Sequence, residues 1–245
     1  MFFLLRFGAV SGLLAGLFIA VPGLIEAFTG ETLATSLVLA VSPALAVPLL
    51  PALRLGLLAA GDRRRLARPR HPDAAHPSGS TGGGGGGGDE TGDGGAFADA
   101  AFAVNLLGLG LFGGAAYALN VVVYPLGDDT HLAAASRGAL LVSAAVFVVG
   151  VVLFGIALLR AGTYPRTPVW LYLLGFPPFA LAARLPDTPV TSVLHVLVGV
   201  AVGWLALSCW RLAREGREGG PIPAPPGPST GVTTRSSLPA VTIAP

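Results

Sequence analysis

Few residues in this 245-residue chain have the types and spacing that chemistry requires. Asn105, Asn120 and His195 are the polar side chains set deepest in long apolar stretches. A neutral imidazole at His195 could hold a ligand or hydrogen-bond a neighbouring helix, but no acidic residue or second histidine stands one helical turn away to orient it. Asn105 and Asn120 are 15 residues apart, which on a helix is about 60° around the axis and about 22 Å along it. They share a face without touching, so each is expected to hydrogen-bond a facing helix, with a polar pathway along that face as the sharper alternative. The available nucleophiles are scattered hydroxyls such as Ser143, Thr191 and Ser192. With His195 as the lone base, no catalytic constellation is expected. His71, Asp73 and His76 are metal-ligand types in a Pro-rich stretch that does not preorganise them. The glycine run Gly82 to Gly88 matches a phosphate-loop pattern trivially, with no strand before it and no Gly-Lys-Ser/Thr after it. The sequence therefore names no enzyme activity, cofactor or metal.

The elements that position these residues follow from composition. The chain is 53% hydrophobic and 11% charged, against about 25% charged in a soluble domain. That excludes an ordinary water-soluble protein. A bilayer core about 30 Å thick needs about 20 apolar residues at 1.5 Å each. Six segments qualify: Phe2 to Ile25, Leu33 to Leu53, Ala98 to Tyr124, Gly138 to Leu159, Pro168 to Ala183 and Pro189 to Trp210. The expected fold is an all-α, polytopic transmembrane helical bundle of about six spans. Residues 1–60 hold the first two helices and 97–212 the other four. Between them, 61–96 read as a flexible Arg/Gly-rich cytoplasmic linker, and 213–245 as a disordered Pro-rich tail. The first segment is too long for the core of a cleaved signal peptide and lacks a small-x-small cleavage site. The fifth is the shortest, near the ~17-residue lower limit. Pro43, Pro48 and Pro51 in the second segment, and Pro177-Pro178 in the fifth, are expected to kink or break their helices.

Orientation comes from the arginines, since the chain has no lysine. With both termini cytoplasmic, 13 of the 15 basic residues fall inside, among them Arg63, Arg64, Arg65, Arg160, Arg166 and Arg211. Only Arg137 and Arg184 fall outside, and the outer loops carry Glu26, Glu31, Asp128, Asp129 and Asp187. The expectation is a multi-pass protein of a plasma membrane with both termini cytoplasmic. Trp170, Tyr172 and Trp210 are expected in an inner aromatic belt and Tyr124 at the outer surface. Gly8, Gly12 and Gly16, and again Gly110 and Gly114, have the small-residue spacing that lets membrane helices approach closely. They are expected to pack helices within the chain. Cys209, the one cysteine, excludes an intrachain disulfide. The arginines form no stripe for nucleic acid, so the expected partner is the lipid bilayer, with room for a membrane or cytoplasmic protein. Oligomeric state is not legible.

The stretch Leu158-Leu159-Arg160-Ala161-Gly162-Thr163-Tyr164-Pro165-Arg166, followed by Trp170 and a last span ending Cys209-Trp210-Arg211, resembles uncharacterised six-helix membrane proteins of high-GC Gram-positive (actinobacterial) type. The resemblance covers mainly residues 97–212 and implies the same six-span architecture, with no activity to carry over. The expected role is structural, regulatory or partner-binding; the alternative is a small permease or a lipid or small-molecule transporter.

Overall fold

The computed structural model describes residues 2–67, 90–123, 125, 133–182 and 189–218. The metal-type triplet His71, Asp73 and His76, the glycine run, Tyr124, Asp128, Asp129, Arg184, Asp187 and the tail beyond 218 lie outside them. The described residues are helical and contain no strand: α1 (Phe2–Thr29), α2 (Leu33–Ala46), α3 (Leu49–Ala67), α4 (Glu90–Tyr117), α5 (Ala134–Ala161), α6 (Arg166–Ala182) and α7 (Pro189–Glu218). A single π-helical stretch, Ala118–Val123, prolongs α4. Five units are long and apolar enough to cross a membrane: Phe2–Thr29, Leu33–Gly61, Gly94–Val123, Ala134–Ala161 and Pro189–Glu215. The fifth predicted segment, α6, has 17 residues and reaches about 25 Å at 1.5 Å per residue.

Local chemistry explains the helix ends. α1 stops at Gly30, whose φ of 73° places it in the left-handed region and whose N–H donates to the Glu26 carbonyl at 3.0 Å. Thr32 then caps α2 reciprocally: its Oγ1 accepts from the Thr35 amide at 3.2 Å, and its own amide donates to Thr35 Oγ1 at 3.0 Å. α5 ends the same way as α1, with Gly162 at φ 60° and its N–H on the Leu158 carbonyl at 3.2 Å. The second apolar segment breaks where its prolines lie, at Val47-Pro48, giving two helices for one crossing. The Leu45 carbonyl in the last turn of α2 accepts Ser11 Oγ from α1 at 2.6 Å.

One expectation is narrowed. Pro177-Pro178 do not break α6, which runs through them; Phe176 and Phe179 on either side are held in one aromatic cluster with Phe147, Phe112 and Tyr172. Packing in this position outweighs the lost amide donors, as it does in other membrane helices. Among the described residues, α3 runs to Ala67 and α4 from Glu90.

Each of these five units and α6 runs antiparallel to its neighbour in sequence, and the six helical units close into a ring. α1 meets the α2/α3 unit, that unit meets α4, then α5, α6 and α7 follow, and α7 returns to α1 along the most extensive seam in the molecule. Here the glycines act. A methyl carbon built on Gly16 would lie 2.6 Å from the Gly199 carbonyl oxygen, and one on Gly12 would meet Leu49 and Ala206. Gly8 faces Ala52 and the Pro48 carbonyl. In the α4/α5 pair the close approach uses Gly108, against Phe147, and Gly150, against Asn105. Gly110 and Gly114 are not part of it: nothing lies within 4 Å of a methyl on either, and both face outward. Their spacing is that of a packing stripe, but two residues out of phase with the face that Gly108 and Phe112 turn inward.

Candidate functional site

The ring encloses a cavity of about 480 Å³. Every crossing contributes to its wall. It reaches from Glu26, Asn120 and Thr191, near the helix ends distant from the N-terminus, down to Leu53, Asn105, Tyr172 and Leu205. The walls are mainly apolar, with Phe112, Phe147, Phe176 and Phe179 among them.

The end nearer the N-terminus is filled by side chains. Tyr164, in the turn between α5 and α6, donates its hydroxyl to the Leu53 carbonyl at 3.0 Å, under Gly56, where any side chain would collide with it. Cys209 Sγ lies 3.8 Å from the same hydroxyl. Burial pushes the Tyr164 phenol above its ordinary range. Around this plug lie Phe154, Leu158, Leu205 and Ala213, all fully buried. The predicted topology residues lie at this end: Arg63, Arg64 and Arg65 in the last turns of α3, Arg160 in the last turn of α5, Arg166 at the start of α6 and Arg211 late in α7. Arg160 stands over the Phe97 ring at 5.1 Å and Arg6 over Trp210 at 5.8 Å. Arg54 and Asp99 pair between α3 and α4, with Arg54 Nε donating to Oδ1 at 2.8 Å.

All three polar residues singled out from the sequence line the cavity. Asn105 does bond a facing helix: its Nδ2 donates to Tyr172 Oη of α6 at 2.9 Å. The side chain is buried to 1% exposure, and its Oδ1 has no hydrogen-bond partner. Asn120 does not bond a facing helix. Its Nδ2 donates to the Ala116 carbonyl at 2.8 Å within its own, locally π-helical, segment. His195 Nδ1 is 2.8 Å from the Thr191 carbonyl, and its ring meets Phe179 edge to face at 4.9 Å. Its Cβ sits where Gly23 lacks a side chain.

Two site residues escaped the sequence reading. Glu26, assigned to an outer loop, is inside α1, 8% exposed and part of the cavity wall. Its signal was there: Gly12, Gly16, Ile19, Gly23 and Glu26 follow one another at alternating four- and three-residue steps, one stripe of a helix. Tyr172, assigned to an interfacial belt, is 5% exposed and holds Asn105. Val169, Tyr172, Phe176 and Ala180 form the buried stripe of α6, while Trp170 lies on the opposite, exposed side. Ser143 bonds its own helix at the Ala139 carbonyl. Among the described residues no three of His, Cys, Asp and Glu come together as metal ligands.

Fold and site together define a class: a helical membrane protein whose crossings close around an internal, mostly apolar cavity with a few convergent polar groups. The chain matches no protein family, no curated protein and no solved structure.

Proposed function

We propose that the protein binds a small amphiphilic molecule or lipid within the bundle, as a small permease or carrier. One observation carries this reading: a cavity of about 480 Å³ walled by every crossing, in the size range of small-molecule sites, apolar with a few placed polar groups. A structural or regulatory subunit needs no such space, and filling it with side chains would stabilise the bundle. The bilayer in question is a bacterial plasma membrane with both termini cytoplasmic. The arginine distribution supports that orientation. The part of the cavity lined by Glu26, Asn120 and Thr191 then faces outward.

Ala144 lines the cavity and is 6% exposed, so Ala144→Trp fills it. Native mass spectrometry of the protein from its own membrane is expected to show a one-to-one small-molecule adduct that Ala144→Trp abolishes. A wild-type protein without adduct, held instead by a stoichiometric protein partner, would return the structural reading. Orientation is read by cysteines at positions 75, 128 and 187 in a Cys209→Ala background; labelling of position 75 from outside intact cells overturns it.

A further inference from the structure

The cavity's deep end bears on what the ligand is. Asn105 and Tyr172, from α4 and α6, meet there as a buried pair. Tyr172 Oη accepts the Asn105 amide, and this is the one hydrogen bond that the hydroxyl makes among the described residues, so its own proton has no acceptor. Asn105 Oδ1 is likewise without a donor. Turning the amide over merely exchanges the roles: the hydroxyl then donates to Oδ1, and the amide N–H groups and a hydroxyl lone pair are left. In either orientation the pair keeps at least one donor and one acceptor unused. Buried groups of that kind are costly in a low-dielectric interior and call for a partner.

No charged residue belongs to this end of the lining. Its neighbours are Leu53, Leu109, Phe147 and Phe176, while the ionisable Glu26, Glu31 and His195 stand toward the other end. A head group carrying full charge would be desolvated here without a counter-ion, at a cost that a neutral head escapes. Size sets the rest: about 480 Å³ lies within the range of small-molecule sites, which favours one chain with a small head over a two-chain phospholipid.

We infer that the deep end of the cavity is a head-group subsite, formed by Asn105 and Tyr172, for an uncharged single-chain amphiphile bearing a hydroxyl or carboxamide. The ligand's head gives one hydrogen bond and takes one, and its chain lies along the phenylalanine-rich wall toward the opposite end. This rests on the ligand-binding reading above and specifies its ligand.

The test uses the full chain in lipid nanodiscs with five probes of equal, twelve-carbon length: dodecan-1-ol, dodecanamide, dodecane, dodecanoate and dodecylammonium. One-to-one adducts are quantified by native mass spectrometry after release. The alcohol and the amide are expected to bind about tenfold or more tightly than the other three, an advantage set by the hydrogen bonds available to a neutral head. Tyr172→Phe and Asn105→Ala should each remove most of that advantage while leaving dodecane unchanged. Tyr172→Phe loses one oxygen and keeps the packing, so it serves where Asn105→Ala fails to fold. Equal binding of all five probes, abolished by Ala144→Trp, would overturn the head-group assignment and leave the cavity reading standing. Preference for either charged probe, or an alcohol preference that survives Tyr172→Phe, would overturn it as well. No binding of any probe to the wild type overturns both readings together.

Discussion

Glycine spacing by itself does not distinguish a packed position from an exposed one, and Gly16 and Gly110 show why. Both belong to four-residue repeats in apolar helices, yet only Gly16 faces a backbone, its missing side chain filled by the Gly199 carbonyl. The difference is phase: Gly16 continues the buried stripe through Gly12, Ile19 and Gly23, whereas Gly110 lies between the inward-facing Leu109 and Phe112. In lipid, where apolar surface gains nothing by leaving its surroundings, close backbone approach is a main source of helix association. Gly16→Ile must therefore separate α1 from α7 or strain both, at a cost of about 1–3 kcal/mol. Gly110→Ala should change stability by no more than about 0.5 kcal/mol. Denaturant titration of the two variants in mixed micelles checks this; equal losses would mean that α1 and α7 do not meet at Gly16. The same stripe argument explains Glu26. Its charge placed it in a loop when residues were weighed singly, and its phase places it on the cavity wall.

At the scale of elements, the six apolar segments were readable from length and hydropathy, but the effect of prolines was not. Pro48 coincides with a break and Pro177-Pro178 with none. The distinction lies in tertiary surroundings: α6 is held through its prolines by rings from α4 and α5, and no propensity scale contains that contact. The turn between α5 and α6 was visible only as a basic hinge, yet its main structural act is Tyr164 reaching α3. Losing that buried hydrogen bond in Tyr164→Phe should cost about 1 kcal/mol. A pH effect accompanies it. The phenol's folded-state value lies above the ordinary one, about 10 in the unfolded chain. Above that pH the folded chain retains a proton that the unfolded chain releases, so stability is level below about pH 10 and falls as pH rises further. In Tyr164→Phe the alkaline fall should be shallower. Unfolding midpoints compared at pH 8 and pH 11 decide it, and parallel falls in both proteins would place the hydroxyl in water.

For the whole molecule, the sequence held the number of crossings but not their closure. A ring requires that the first and last crossings meet, and the information for that contact is divided between residues about 180 positions apart, Gly12, Gly16 and Gly23 against His195, Gly199 and Ala206. Only in the structure do the two sets become one seam, and only the seam makes an internal cavity from six helices that a linear reading leaves in a row. It also joins the two halves of the chain, since α1 to α3 precede residue 68 and α4 to α7 follow residue 89. Contacts between the halves run along α1 with α7, α2 with α4 and α3 with α5, α4 and α7. A chain cut once between residues 68 and 89, through an introduced protease site, should therefore remain one particle in detergent with both fragments in equal amount, and should keep its small-molecule adduct. Gly16→Ile in the cut protein removes covalent and packing restraints together, and is expected to release the fragments under conditions where the uncut variant stays folded. Size-exclusion chromatography of cut and uncut forms reads the outcome. Fragments that part readily without the substitution would show that the seam does not hold the ring closed, and the cavity would lose the wall on which its ligand depends.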